Sequence, residues 1–167
     1  MSPVSTSRWD GGGTEHAGGS VFIEEDNFDK ARKKIREAKN EKIIFSSNDD
    51  ETSRKVIEKE PVNVLLIKQK GRKDRQKQRD SGLNSVMAKI AKKKNIEIGI
   101  FLDEIMESHG KEKAVILSRI EQNVKLCKKE KLKMKFISGE KNRRNDYDLK
   151  ALGLILGMPT WMSADAG

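Results

Sequence analysis

Cysteine, histidine and aromatic side chains are scarce in this chain, and each shortage removes a class of function. One cysteine among 167 residues, Cys127, excludes an internal disulfide framework and fits a reducing, cytoplasmic setting. Two histidines, His16 and His109, are too few for a histidine-rich metal centre, and no Cys/His spacing suggests zinc. No apolar run approaches the ~18–20 residues that cross a bilayer, and no signal-peptide pattern opens the chain, so no membrane partner is expected. P-loop and nucleophile-elbow motifs are also missing. Aromatics make up 5% of the residues, and Phe22, Phe28, Phe45, Phe101 and Phe136 fall in strand or core-facing helix patterns. They leave no stacking platform for splayed bases, so any nucleic acid would be met through its backbone and shape.

What the chain has is charge. Lys and Arg number 35 against 26 Asp and Glu, a formal charge of +9, and charged residues (37%) outnumber hydrophobic ones (35%). The apolar residues are gathered in short runs, which allows a modest core. Residues 1–20 hold five glycines and no periodicity, and read as a disordered leader. From Val21 to Met158 short apolar runs alternate with amphipathic segments, and residues 159–167 read as a short tail.

Strands are expected at Val21–Glu24, Ile43–Ser46, Val62–Ile67, Ile96–Leu102 and Met134–Ile137. Helices are expected between them. Asn27 caps the first, with Phe28, Ala31, Ile35 and Ala38 at helical spacing. Ser47 or Asn48 caps a second over Asp49–Glu60, which Pro61 stops. Asn84 caps a third, and a long helix over about Lys111–Glu130 carries the stripe Ala114, Leu117, Ile120, Val124 and Cys127. Asp146 caps the last, with Leu149, Leu152, Ile155 and Leu156 as its apolar stripe and Gly157 and Pro159 at its end. Strands alternating with helices imply parallel βα units. About five strands are too few for an eight-stranded barrel of ~250 residues. The fold expected is α/β, a small or incomplete TIM-like βα barrel with parallel strands.

The clearest chemical feature is the segment Lys68, Lys70, Arg72, Lys73, Arg75, Lys77 and Arg79, seven cations against Asp74 alone. A second cluster, Lys141, Arg143 and Arg144, follows the strand ending at Ile137. Both lie after the carboxyl end of a parallel strand, where α/β folds place binding loops on one face. If about six of these cations met phosphates, affinity would fall with salt at a log–log slope of roughly −4 to −5. The competing reading is a solvated charge run. Lys92–Lys94 and the lysines from Lys125 to Lys135 sit at helix ends, where they complement the dipole. The acidic pairs Asp49–Asp50 and Asp103–Glu104 stand beside helix starts and read as caps. Glu97 points away from the face shared by Ile96, Ile98, Ile100 and Leu102.

Two blocks carry a resemblance. QRDSGLNSVMAKIAKKKNIEIGIFL (residues 78–102) holds an Arg-Asp-Ser-Gly turn at Arg79, Asp80, Ser81 and Gly82, then a helix and a strand. FISGEKNRRNDYDLKALGLILGM (residues 136–158) holds Ser138 and Gly139, then Asp148, Leu149, Ala151, Leu152 and Gly153, closing in Leu156, Gly157 and Met158. In this order and separation they resemble ribonuclease P protein component 3, a protein-subunit family of archaea and eukaryotes. The resemblance implies a TIM-like fold and a non-catalytic role in 5′ maturation of precursor transfer RNA. It implies ribonuclease P RNA as partner, other protein subunits including a small α/β one, and precursor tRNA indirectly. No cofactor is expected on this chain, with Mg²⁺ on the RNA subunit, and the two basic loops would face RNA. The chain departs from the family in stopping soon after Leu-Gly-Met and in carrying Gly99 and Phe101 where members often have polar residues. Two rivals are a metal-dependent phosphoesterase of the polymerase-and-histidinol-phosphatase type, whose His-x-His motif is missing here, and a general basic RNA-binding protein.

Overall fold

The computed structural model of the chain describes residues 6–8, 20–38, 41–73 and 80–163. Five strands run parallel and lie in the sheet in chain order: β2 (Val21–Glu24), β3 (Ile43–Ser46), β4 (Val64–Ile67), β5 (Glu97–Phe101) and β6 (Met134–Ile137). Sequential parallel order needs a crossover of one hand after every strand, which stacks the helices on one face and curls the sheet as in a barrel. The helices are α1 (Phe28–Glu37), α2 (Asp50–Lys59), α3 (Ser85–Lys94), α4 (Leu102–Glu107), α5 (Gly110–Glu130) and α6 (Asp146–Ile155). Among the described residues the sheet stays open, with β6 at one edge. The expectation of an incomplete βα barrel holds.

Within the glycine-rich stretch, the three residues of β1 (Thr6–Arg8) pair antiparallel with β2, in register Thr6 with Ile23 and Arg8 with Val21. The reading of that stretch as wholly without structure is corrected at those positions. A bare edge of backbone donors and acceptors gains hydrogen bonds from any extended segment that reaches it.

The alternation of the strands builds two apolar layers. Ile23, Phe45, Leu65, Ile98 and Phe136 face the helices and meet Ala31, Ile35, Val56, Ile57, Met87, Ala91, Ile120 and Val124 in the main core. Ile44, Val64, Leu66 and Ile137 form a smaller cluster on the inner face, edged by Phe22 and Phe101. Gly99 belongs to this layer, where a Cβ would lie 3.1 Å from both Leu66 and Val64 side chains. Glu97 opposes Val64 in the register and shares the inner face, as its spacing predicts. Cys127 is fully buried in the main core, and burial pushes its thiol up to about 12, so it stays protonated.

Asn27 and Asn84 cap α1 and α3 as expected, accepting from the N–H groups of Lys30 and Met87. Other caps move by a residue. Asp49, not Ser47 or Asn48, caps α2, because Ser47 Oγ instead donates to Asp26 and accepts from Asp49 N–H. Asn145, not Asp146, caps α6 and accepts from Asp148 N–H at 2.8 Å. Two stripes are also corrected. The buried face of α5 is Ile116, Arg119, Ile120, Asn123, Val124 and Cys127, and Ala114 is exposed. On α6, Ile155 is 79% exposed while Leu156 is buried, since the helix ends at Ile155 and Leu156 turns back under it.

This yields a paired prediction. Ile155→Lys should leave stability within about 0.5 kcal/mol of wild type. Leu156→Ala, which empties a buried site, should cost about 2–5 kcal/mol. Urea unfolding of the two variants checks the contrast.

Candidate nucleic-acid interface

The loops that follow β4 and β6 share the carboxyl-end rim of the sheet, and α4 stands between them. This helix, which hydrophobic spacing alone did not reveal, begins directly at the end of β5. Its acidic pair is not a cap: Phe101 occupies the N-cap position, with no side-chain cap hydrogen bond. The two carboxylates reach outward to opposite sides. Glu104, 6% exposed, accepts from the N–H groups of Gln69 (2.6 Å) and Lys70 (3.0 Å) in the β4 loop. Asp103 accepts from Gly139 N–H (3.0 Å) and from the Asn142 amide (3.0 Å) in the β6 loop. The Asn142 amide also donates to Glu107 at 2.7 Å. One short helix thus fixes the backbone of both basic loops.

Burial pushes the Glu104 carboxyl above its ordinary value, opposed by the two backbone donors and by the charges of Lys68 and Arg72. Arg119 supports the same loop from α5. Its buried guanidinium donates to the carbonyls of Gln69 (3.2 Å) and Arg72 (2.8 Å). The Gln69 amide (2.8 Å) and the Asn123 amide (3.1 Å) both donate to Ser81 O, while Gln122 donates to Ser81 Oγ. Both ends of the β4 loop are therefore held by buried polar side chains.

The Asp-Ser-Gly turn closes that loop by local chemistry. Asp80 accepts from Gly82 N–H at 3.0 Å, a turn contact, and lies 3.7 Å from the Arg72 guanidinium. Gly82 has φ +79°, and a Cβ there would fall 2.5 Å from Arg72 Nη2 and 2.7 Å from Ile67 Cγ2. Glycine is required on both counts. Ser138 is buried at the end of β6, and Gly139 lies directly against Asp103. Asp148 is exposed in the first turn of α6, where it favours the helix dipole.

The cations expected to meet phosphate divide into three groups. Lys68 and Arg72 turn inward, contrary to expectation. Lys68 pairs with Glu24 at 2.6 Å and lies over the Phe22 and Phe101 rings at 5.6 and 5.1 Å. Arg72, its side chain 13% exposed, makes a bidentate pair with Asp50 (3.0 and 2.9 Å) and donates to Lys68 O (2.8 Å). Lys68 continues the alternation of β4 onto the inner face. Arg72 is bent back by the turn at Gly71, whose φ is +81°. Lys70, Lys73, Lys141, Arg143 and Arg144 are exposed on the rim. Arg75, Lys77 and Arg79 lie outside the described residues.

Sequence reasoning passed over Gln69, Arg119, Gln122 and Asn123. Arg119 and Asn123 carry a signal, since they stand three and four residues from Ile116, Ile120 and Cys127 on one helix face. Among the described residues, no group of three or more His, Cys, Asp or Glu is placed to hold a metal ion, and no helix is long and apolar enough to cross a membrane.

The resemblance read from residues 78–102 and 136–158 is borne out by comparison with known proteins. The chain is 26% identical over 136 residues to ribonuclease P protein component 3 of Methanocaldococcus jannaschii, covering 78% of this chain and 56% of that protein. The chain therefore spans little more than half the length of this curated relative. Its fold matches a chain in a structure described as "cryo-EM structure of archaeal Ribonuclease P with mature tRNA", with a TM-score of 0.72 and 24% identity. That match covers 86% of this chain and 62% of the other. No family model matches.

The buried network makes two predictions. Gly82→Ala should lower stability by at least about 1–2 kcal/mol, from a positive φ and a clash together, with thermal melting as the measure. Glu104→Gln offers one acceptor where two N–H groups converge, and should cost about 1–3 kcal/mol at neutral pH. The raised folded-state value sets the sign of its pH dependence. As pH falls through that value towards the ordinary 4.5, the folded protein takes up the proton first, so wild type gains stability relative to Glu104→Gln. Urea unfolding across that window should show the gap widen; a gap that narrows there refutes the assignment.

Proposed function

We propose that this chain is a non-catalytic protein subunit of an archaeal-type ribonuclease P, which binds the catalytic RNA and supports 5′ maturation of precursor tRNA. The observation that carries the reading is the shared rim: α4 holds two basic loops side by side through Asp103 and Glu104. The relationship to ribonuclease P protein component 3 supports the choice of RNA as the polyanion.

In this reading Lys70, Lys73, Lys141, Arg143 and Arg144 neutralise phosphates that the folded RNA brings close together, with Arg75, Lys77 and Arg79 extending the same loop. The described parts of these loops are anchored at Gln69, Lys70, Gly139 and Asn142 before binding, so the charges they carry act with less ordering cost. Lys68, Arg72 and Arg119 hold the scaffold. No side chain of this protein is asked to serve as acid, base or nucleophile. Cleavage belongs to the RNA with its Mg²⁺, and the chain itself takes no cofactor. Other ribonuclease P protein subunits, including a small α/β one, complete the assembly, and precursor tRNA is met indirectly.

Reconstitution tests the proposal. Adding this chain to the cognate RNA and partner subunits should raise precursor cleavage at limiting Mg²⁺, and no change would overturn it. Replacing Lys141, Arg143 and Arg144 by alanine should weaken RNA binding and flatten its log–log salt slope by up to about three. An unchanged slope would reduce those side chains to a solvated charge run.

A further inference from the structure

A second cationic surface lies at the opposite end of the sheet, where β5 and β6 begin. A cavity of about 660 Å³ opens there between the carboxyl ends of α3 and α5 and the turn after α6. Its volume lies within the ~300–1,000 Å³ range typical of ligand sites. Lys92, Lys128, Lys131 and Lys133 line it, against one carboxylate, Glu97, and the indole of Trp161 forms part of its wall.

Helix-end lysines are ordinarily explained by the dipole, and that explanation covers only part of this cluster. Two carbonyls in the last turn of each helix are already closed by backbone. Asn95 N–H reaches Ala91 O and Lys92 O, and Lys131 N–H reaches Cys127 O and Lys128 O. Lys92 Nζ adds a hydrogen bond to Lys131 O at 3.0 Å. Lys128, Lys131 and Lys133 form no ion pair with a described residue, and all three are exposed.

Trp161 gives the second, independent observation. Trp161 is 40% exposed although its neighbour Met162 is fully buried. Met162 also accepts from Met134 N–H at 3.2 Å through its carbonyl, which anchors the turn to the start of β6. A large aromatic plate is thus held half out of the protein on a fixed backbone, beside unpaired cations. The other apolar residues lining the cavity, Ile96 and Leu132, are buried, so an apolar peptide anchor would find only the indole. A nucleobase suits that arrangement, with its face on the indole and its neighbouring phosphates on the lysines.

We propose that this cavity binds a single-stranded segment of RNA, Trp161 stacking one base while Lys128, Lys131 and Lys133 neutralise the adjoining phosphates. The site is separate from the loop rim, and it adds base contact to a protein whose strand and core aromatics offer none. Glu97 sets a limit on charge density and disfavours a phosphate placed deep against β5.

The test uses the full chain with Trp9→Phe, which leaves Trp161 as the sole tryptophan. Titration with a single strand of about 12 nucleotides should quench Trp161 saturably. A duplex of the same length and a mononucleotide should quench far less. Trp161→Ala should weaken binding of a dye-labelled single strand about tenfold, a stacking loss of about 1.4 kcal/mol. Replacing Lys128, Lys131 and Lys133 by alanine should reduce the salt slope by about two. Circular dichroism confirms that each variant is folded. Absent quenching, or quenching indifferent to the lysines, overturns the proposal, as does quenching by an acidic peptide and not by RNA. The Lys141, Arg143 and Arg144 triple variant should retain the quenching. If quenching persists while reconstituted cleavage does not respond to the chain, the cavity stands and the ribonuclease P reading falls; the reverse pattern removes the cavity alone.

Discussion

A buried carboxylate governs the rim. Glu104 faces two backbone N–H groups, at Gln69 and Lys70, from a position almost closed to water. Placing a carboxyl there is costly, which is why its proton affinity rises. The cost is offset by the two donors and by the positive charges of Lys68 and Arg72, which themselves turn inward. The β4 loop therefore leaves the sheet along a defined path. Arg119 reinforces that path through Gln69 O and Arg72 O, and Asp50 completes it by pairing with Arg72. Each of these groups is satisfied only while the others stay in place, so the network is expected to form and break as a unit.

That coupling changes how the basic segment must be counted. Seven cations in sequence suggest seven phosphate contacts, but geometry assigns Lys68 and Arg72 to internal carboxylates. A guanidinium in a bidentate pair with Asp50 would have to break that pair before meeting an external anion. Its value lies in shape: it sits beneath Gly82 and holds the two ends of the loop against each other. The outward cations, Lys70 and Lys73 on one loop and Lys141, Arg143 and Arg144 on the other, are displayed by a framework built partly of their neighbours.

The fold was largely legible in the sequence because its signals are local. Short apolar runs such as Ile43–Ser46 and Met134–Ile137 mark strands, and Asn27 and Asn84 mark helix starts by their own side-chain chemistry. The rim was legible only in outline. Asp103 and Glu104 resemble a helix start in sequence, and their partners lie 34 to 36 residues away, at Gln69, Lys70 and Gly139. No spacing rule reaches that far. Six residues of helix are also too few for hydrophobic periodicity to separate α4 from the strand before it. The same limit applies to Arg119 and Asn123, whose place on the apolar face of α5 is visible while their acceptors on the β4 loop and at Ser81 are not. The motif Asp80-Ser81-Gly82 stood out as a pattern, and its reason became clear only when Gly82 was found against Arg72.

The open sheet explains positive charge at one of its ends and not at the other. A parallel βα array places every loop after a strand on one rim and every helix carboxyl end on the other. Lysines are favourable at those helix ends whatever the protein does, so the base of the sheet gathers charge by default. The rim gathers none by default, because the helix amino ends there favour acids, as Asp29, Asp50 and Asp146 show. Basic loops on that side oppose the local dipole and need a framework to hold them, which is the role left to Asp103 and Glu104. By this argument the rim cations are the more informative of the two sets, since backbone electrostatics do not account for them. The base becomes informative only through Trp161, whose exposure the helix dipoles do not explain.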